Sequence, residues 1–333
     1  MQMTECVLGI DTSNYKTSAA LVDLSGRIIA DSRELLKVKK GERGLRQSEA
    51  LFQHVENLPR ILDEVYRATE GAEVVKDAFE IRAVCASVKP RPAEGSYMPC
   101  FNAGRTAGRV IARALSVPYF ETSHQEGHIA AIEGSLGFEL PQDFLSLHLS
   151  GGTCELLKVH RARTGYDIEI VGGSKDISFG QVIDRVGVAL GMEFPSGVFM
   201  DEMALKASKL TYKPLLTGVR VSESWFNLSG LETQAQRAVE NSGSASGFDS
   251  YALILELFDR ITACTEKMIE QAKKAYGLKT VLFAGGVSSS RYISEKLMRY
   301  SKDMGYEFYF GDQSLSSDNA VGTARIGARL FNL

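Results

Sequence analysis

The chain predicts an α/β fold of two lobes made by duplicating one βββα unit, and three observations carry that expectation. A short apolar strand, a small or polar tip, a hairpin and a helix follow one another from Cys6 and again from Phe144. Three strands end in tips of one kind: Asp11-Thr12-Ser13, Ser150-Gly151-Gly152-Thr153 and Ala284-Gly285-Gly286-Val287. At 333 residues the chain is also long enough to give each lobe a core.

Taken in order, Cys6 to Ile10 is an apolar strand, and Thr17–Val22 and Arg27–Glu34 form a hairpin about Asp23-Leu24-Ser25-Gly26. Leu51, Val55, Leu58, Ile61, Leu62 and Val65 recur at helical spacing from Ser48 to Arg67, with Pro59 a candidate kink. Ile81–Ser87 reads as a buried strand running into Val88–Ser96, a loop too rich in proline for sheet. Within it Lys89 and Arg91 form a basic stretch, either solvated or facing phosphate. Phe101–Leu115 is a helix with Ala103, Gly104, Ala107 and Gly108 along one side, and Val117–Phe120 is a strand.

The pattern restarts with Phe144–Leu149, the hairpin Cys154–His160 and Asp167–Val171, and a helix from about Phe179 to Leu190. Residues 200–250 are the least regular, with a mobile loop expected at Asn241–Gly247. A long helix over Tyr251–Tyr276, strands at Thr280–Ala284 and Glu307–Phe310, a helix after Ser290 and one after Ser316–Asn319 complete the chain. The expected division is an N-terminal lobe over 1–120, with the helix at 318–333 packing back on it, and a C-terminal lobe over 121–317 that starts with a metal-binding helix.

That helix holds the densest chemistry, Glu121-Thr-Ser-His-Gln-Glu-Gly-His128. Ser123 and Glu126 have the spacing of a capping box, so Ser123 is the predicted N-cap and His124 the first helical residue. His124 and His128 then stand one turn apart on one face, a separation that lets two imidazoles reach one ion, or that simply belongs to an amphipathic face. Glu126 lies about 200° around the helix from each, which suits capping. Gln125 stands where a zinc protease of the H-E-x-x-H type has its glutamate base, which argues against peptide hydrolysis. Gly127 in the first turn costs about 1 kcal/mol against alanine and predicts a close backbone neighbour.

The glycine tips let backbone N–H groups approach phosphate, although a tight turn alone also needs glycine. Asp176 and Asp184 flank Gly180 and are placed either to bracket a ligand hydroxyl or to serve structure, Asp176 as a cap and Asp184 solvated or paired with Arg185. Asp318 is open to a plain capping role. His54, His148 and His160 read as structural or surface residues. A net charge of −3 excludes a global nucleic-acid signature. Five scattered cysteines without C-x-x-C read as buried thiols in a reducing compartment. With no membrane-length apolar run and no basic start at Met1–Cys6, a cytoplasmic protein without membrane contact is expected.

Nearly end to end, through Gly9-Ile-Asp-Thr-Ser13, His124-Gln-Glu-Gly-His128, Ser150-Gly-Gly-Thr153, Gly172-Gly-Ser-Lys-Asp176, Phe226-Asn-Leu-Ser-Gly-Leu-Glu-Thr233, Ala284-Gly-Gly-Val287 and Ser317-Asp-Asn319, the chain resembles the tRNA N6-threonylcarbamoyladenosine transferase family, once described as O-sialoglycoprotein endopeptidases. The resemblance implies duplicated RNase H-like lobes of the actin, sugar-kinase and chaperone ATPase superfamily. It implies one divalent metal, iron or zinc, on His124, His128 and Asp318, and an adenylate or ATP-type nucleotide lined by Ser150, Asp176, Gly180, Asp184 and Gly286. Asp11, Gly151, Gly152, Gly285 and Ser290 join the expected substrate side. The implied reaction is transfer of threonylcarbamoyl from its adenylate to N6 of adenosine in a tRNA anticodon loop, with partner subunits that include a protein of homologous fold and an ATPase. No side chain is assigned as a catalytic acid or base.

The chain departs from the family pattern at Tyr15 and Lys16, which replace two acids, at the Lys89-Pro-Arg-Pro92 loop, and at Ile177, Gln181 and Ser290. These changes point to a divergent paralogue. A metal- and nucleotide-binding scaffold without transfer activity is the alternative reading, and a two-histidine, one-carboxylate iron oxygenase fits the ligand set but not an adenylate pocket.

Overall fold

The computed structural model describes residues 3–13, 15–38, 45–70, 79–241 and 249–333. Beyond Asn241, the loop expected to be mobile lies outside them. The chain runs β1 (Thr4–Thr12), β2 (Lys16–Asp23), β3 (Ile28–Leu35), α1 (Gln47–Glu70), β4 (Phe79–Lys89), α2 (Phe101–Leu115), β5 (Tyr119–Ser123) and α3 (His124–Glu133). It continues with β6 (Asp143–Leu149), β7 (Cys154–Ala162), β8 (Gly165–Ser174), α4 (Phe179–Ala189), α5 (Gly197–Lys206), β9 (Trp225–Phe226), α6 (Ser229–Glu240) and α7 (Ser250–Tyr276). Last come β10 (Thr280–Ala284), α8 (Arg291–Met304), β11 (Glu307–Phe310) and α9 (Val321–Phe331).

Two compact units result, Met1–Glu139 with Arg161–Asp167 and Ser314–Leu333, and Leu140–His160 with Ile168–Gln313. The first has a five-stranded sheet ordered β3-β2-β1-β4-β5. β1–β2 and β2–β3 are antiparallel, and β1–β4 and β4–β5 parallel. Leu8, Ile10, Leu21, Ile61, Val65, Val84 and Ala86 fill its core with α1 and α2. Each fully buried aliphatic side chain of this kind contributes roughly 1.5–3 kcal/mol. α9 packs on β1 and β4, and on α3.

The second unit has a six-stranded sheet ordered β11-β10-β6-β7-β8-β9. Strands β8-β7-β6-β10-β11 repeat the order of the first sheet, and β6–β7, β6–β10 and β10–β11 repeat its directions. The duplication read from the strand tips is therefore present as topology. Its core includes Leu147, Phe179, Ile254, Phe258, Phe283 and Ile293.

Three details differ from the sequence expectation. The boundary does not fall at 120/121, because β5 completes the first sheet beside β4 and carries α3 with it. β4 runs on to Lys89 through a register shift that lets it pair with Ser123, beyond the expected stop at Ser87. Residues 200–250 hold two helices that polar periodicity hid: α5 buries only Met200 and Ala204, and α6 only Leu231 and Ala235.

Candidate functional site

In the first unit α3 starts with the predicted capping box. The Ser123 hydroxyl accepts from the Glu126 N–H at 3.3 Å, and Glu126 accepts from the Ser123 N–H at 2.8 Å. The Pro90 carbonyl accepts the Gln125 N–H at 3.0 Å, so the proline loop braces the same turn. The two histidines of α3 converge, Nε2 to Nε2, at 3.0 Å. Glycine lets the third member come near. A Cβ added to Gly322 of α9 would lie 1.8 Å from the Gly127 carbonyl oxygen, and one on Gly127 would meet Thr323 Oγ1 at 3.2 Å. The close neighbour expected at Gly127 is thus α9. Asn319, not Asp318, caps α9, its Oδ1 accepting from Val321 N at 3.0 Å and Gly322 N at 3.4 Å. Relieved of capping, Asp318 sets Oδ1 3.3 Å from His128 Nε2 and 3.5 Å from His124 Nε2.

His124, His128 and Asp318 form a group whose ligand atoms lie within 4.8 Å of one another. Bonds of ~2.0–2.1 Å around a tetrahedral ion separate its ligand atoms by roughly 3.3 Å, so the spacing of this donor set fits a divalent metal. Asp11 supplies what such a centre needs behind its ligands. It is fully buried, takes the Ser13 N–H on Oδ1 at 2.7 Å and faces His124 Nδ1 with Oδ2 at 2.7 Å, which leaves His124 Nε2 for an ion. The residue expected on the substrate side is therefore turned toward a histidine, because β1 ends beside α3.

The electrostatics agree. Burial opposes a charged His124, but the Asp11 carboxylate and then Asp318 outweigh it and push His124 up to about 10. Burial likewise opposes the charge on Asp11 and Asp318, yet the histidines hold both carboxyls below their ordinary value. Two carboxylates thus favour positive charge here, be it a proton or a metal ion in competition with it. Lys16, one of the departures, donates to Ser317 Oγ at 2.8 Å beside Asp318. Burial lowers its pKa, with Asp318 opposing. Tyr15 is exposed. His54 is buried and joined through Nδ1 to Thr17 Oγ1 at 2.9 Å, the structural role expected of it.

In the second unit the glycine tips are held by packing. Ser150 Oγ accepts from Thr153 N at 3.0 Å and Gly152 N at 3.3 Å, while Gly151 and Gly152 are exposed. A Cβ on Gly180 would lie 2.6 Å from the Gly151 Cα, so only glycine lets the first turn of α4 sit against this loop. Ser178 caps α4 in a box with Gln181 and donates to the Gly151 carbonyl at 2.7 Å. Gly285 has φ of 94°, and Gly286 opens a 3-10 turn to Ser289. Ser290 then caps α8, accepting from Ile293 N at 3.2 Å and bonding Asp201 of α5.

The two aspartates are structural in part. Asp176 Oδ1 accepts from Ile177 N at 2.7 Å and Leu228 N at 2.9 Å, and Oδ2 from Ser229 N at 3.0 Å. It ties β8 to the start of α6, whereas α4 is capped by Ser178. Asp184 Oδ1 accepts from Ser196 N at 2.8 Å, while Arg185 pairs with Glu232 at 3.0 Å. Burial raises the Asp184 pKa, with the Ser196 and Gly197 amides opposing. Sequence reading missed Asp201, which also accepts from Arg291 N at 3.0 Å. Ninety residues separate it from the helix it caps, and no local spacing announces it.

A profile of the family described as tRNA N6-adenosine threonylcarbamoyltransferase (TsaD) matches residues 28–325. The tRNA N6-adenosine threonylcarbamoyltransferase of Prochlorococcus marinus (strain MIT 9313) is 30% identical, over 97% of this chain and 88% of its own. That of Archaeoglobus fulgidus is 28% identical over 97% and 91%. A probable bifunctional tRNA threonylcarbamoyladenosine biosynthesis protein of Methanothermobacter thermautotrophicus is 27% identical over 97% of this chain, which spans 55% of that protein. Among solved structures, component A of (R)-2-hydroxyglutaryl-CoA dehydratase from Acidaminococcus fermentans superposes with a TM-score of 0.55 at 15% identity, covering 99% and 100% of the two chains. A ROK family glucokinase from Streptomyces griseus gives 0.52 at 11%, covering 97% and 99%. These structures show the fold alone, the duplicated α/β architecture of the actin and sugar-kinase superfamily. On that scaffold, with the family profile spanning most of its length, the chain belongs to the tRNA N6-adenosine threonylcarbamoyltransferase family.

Proposed function

We propose that the protein transfers a threonylcarbamoyl group from threonylcarbamoyl adenylate to N6 of an adenosine in a tRNA anticodon loop. The adenosine nitrogen bonds the carbamoyl carbon, the bond from that carbon to the phosphate oxygen breaks, AMP leaves and the amine loses a proton. The observation that carries the reading is the convergence of His124, His128 and Asp318 in a member of this family. These three residues would hold iron or zinc, which supplies Lewis-acid polarisation of a carbonyl at a position that three protein ligands leave open. Asp11 keeps His124 in the tautomer that presents Nε2. The N–H groups of Gly151, Gly152, Gly285 and Gly286 are offered to the adenylate phosphate, with Ser150, Asp176, Gly180, Asp184 and Ser290 framing that loop set.

The departures at Gln181 and Ser290 leave local structure intact, since each completes a helix cap. That supports an active enzyme over a decayed scaffold. The bifunctional relative carries a further region beyond the part this chain matches, which supports a partner subunit here. No described helix is long and apolar enough to cross a membrane. The five free, buried cysteines suit the reducing cytoplasm, where tRNA resides.

The test is AMP release from threonylcarbamoyl adenylate by metal-replete protein, with and without tRNA, for wild type and His128→Ala. Release that requires tRNA and is lost in the variant is expected. Equal release by both proteins, or none with tRNA and the partner subunits present, overturns the proposal.

A further inference from the structure

A second concave site lies on the edge of the second unit's sheet, where Lys175, Arg220, Ser222, Glu223, Trp225 and Asn227 line a pocket of about 260 Å³. It shares no lining residue with the glycine loops. Its shape comes from an unfavourable turn. Ser222 and Trp225 exchange backbone hydrogen bonds at 2.9 Å in both directions, and the two residues between them, Glu223 and Ser224, have φ of 52° and 64°. Both central residues of such a turn are left-handed, a conformation that normally selects Asn-Gly and costs other residues of order 1 kcal/mol or more each. Neighbours enforce it. Gln271 accepts from Ser224 N at 2.7 Å, Ser224 Oγ donates to the Met268 carbonyl at 3.0 Å, and Gly173 N donates to the Ser224 carbonyl at 2.9 Å.

The product of this strain is the placement of Trp225, the one tryptophan of the chain, half-buried at the edge with the Lys175 ammonium 5.9 Å from its ring centroid. Lys175 and Arg220 are exposed, and among the described residues neither has a carboxylate partner within salt-bridge distance. An aromatic face flanked by two uncommitted cations is the combination that holds an unstacked nucleotide, the ring stacking on the base and the cations meeting phosphates. Ser222, Glu223 and Asn227 add a hydroxyl, a carboxylate and an amide suited to the donors and acceptors of a base edge. The volume falls below the ~300–1,000 Å³ of a pocket that encloses a free metabolite, and fits one base of a polymer held by further contacts.

We propose that this pocket is an RNA-docking site that takes one splayed nucleotide of the tRNA. The inference rests on tRNA being the substrate. It explains how a chain of net charge −3 grips RNA, through a local patch instead of a global field.

Because Trp225 is the only tryptophan, its emission reports the site directly. Metal-replete full-length protein is titrated with unmodified tRNA, reading tryptophan fluorescence and filter binding together. Saturable quenching at the binding midpoint is expected. Trp225→Ala weakens binding roughly ten- to hundred-fold, while Trp225→Phe, which keeps a stacking face, stays within a few-fold of wild type. Lys175→Ala and Arg220→Ala each lower the slope of log affinity against log salt by about 0.7–0.9. Urea midpoints confirm that the variants are folded. If tRNA binds without changing the emission and the variants bind as wild type does, the docking site is elsewhere, while AMP release still judges the transferase reading. Quenching by AMP that tRNA does not reverse makes the pocket a mononucleotide site and overturns the proposal. Absence of tRNA binding overturns it as well, and the transferase falls with it only if tRNA also fails to stimulate AMP release.

Discussion

The two units share a strand order but put different chemistry at the ends of their central strands. In the first, side chains converge: two imidazoles and a carboxylate, with Asp11 behind them. In the second, the backbone is laid bare by glycine at 151, 152, 285 and 286. The difference arises just past each sheet's last parallel strand. β5 runs directly into α3 and its histidines, whereas β11 leads into the stretch that carries Asp318. One topology thus supports a cation site through side chains and an anion site through amides, and the choice is made by a few residues beyond the strands.

The largest expected effect is at the seam that builds the first site. Gly322→Ala drives a methyl into the Gly127 carbonyl and should cost about 3 kcal/mol or more, read as a lowered urea midpoint with loss of bound metal. Asp11→Asn tests the support behind the ligands. A roughly 10–100-fold loss of metal affinity is expected by competition with a chelating dye, with nucleotide affinity unchanged. Gly180→Ala is the converse, costing about 1–3 kcal/mol as the Gly151 loop is pushed away, and weakening binding of an adenylate analogue while metal stoichiometry stays at the wild-type value. If either variant damages both sites equally, the division of labour is wrong.

The smallest effect concerns pH. Burial opposes ionisation of Asp176, but the amides of Leu228, Ile177 and Ser229 hold its carboxyl well below the usual range. A carboxyl depressed on folding stabilises in full above its unfolded value of ~3.9, and that stabilisation is lost as pH falls toward the folded value. Urea midpoints between pH 5 and pH 3 should therefore fall less in Asp176→Asn than in wild type.

Much of this was legible in local sequence, and the remainder has a common cause. The capping box at Ser123 and Glu126, the histidine spacing and the strand tips are properties of a few consecutive residues, and they appear as read. The role of Asp11 depends on β1 ending beside a helix more than a hundred residues later, and that of Asp201 on a helix start ninety residues on. The choice between Asp318 and Asn319 as cap turned on which side chain the α3–α9 seam left free. Helices α5 and α6 were missed because each buries only two side chains, too few to print a period.

The seam between α3 and α9 also sets an order in time. Residues 314–333 complete the unit that residues 1–139 begin, and Asp318 lies 190 residues after His128. A ribosome making this protein releases both histidines long before it releases their carboxylate partner. The nascent chain therefore carries a half-built site through most of its synthesis, and metal loading becomes a late event, available only to a chain whose second unit has already been made.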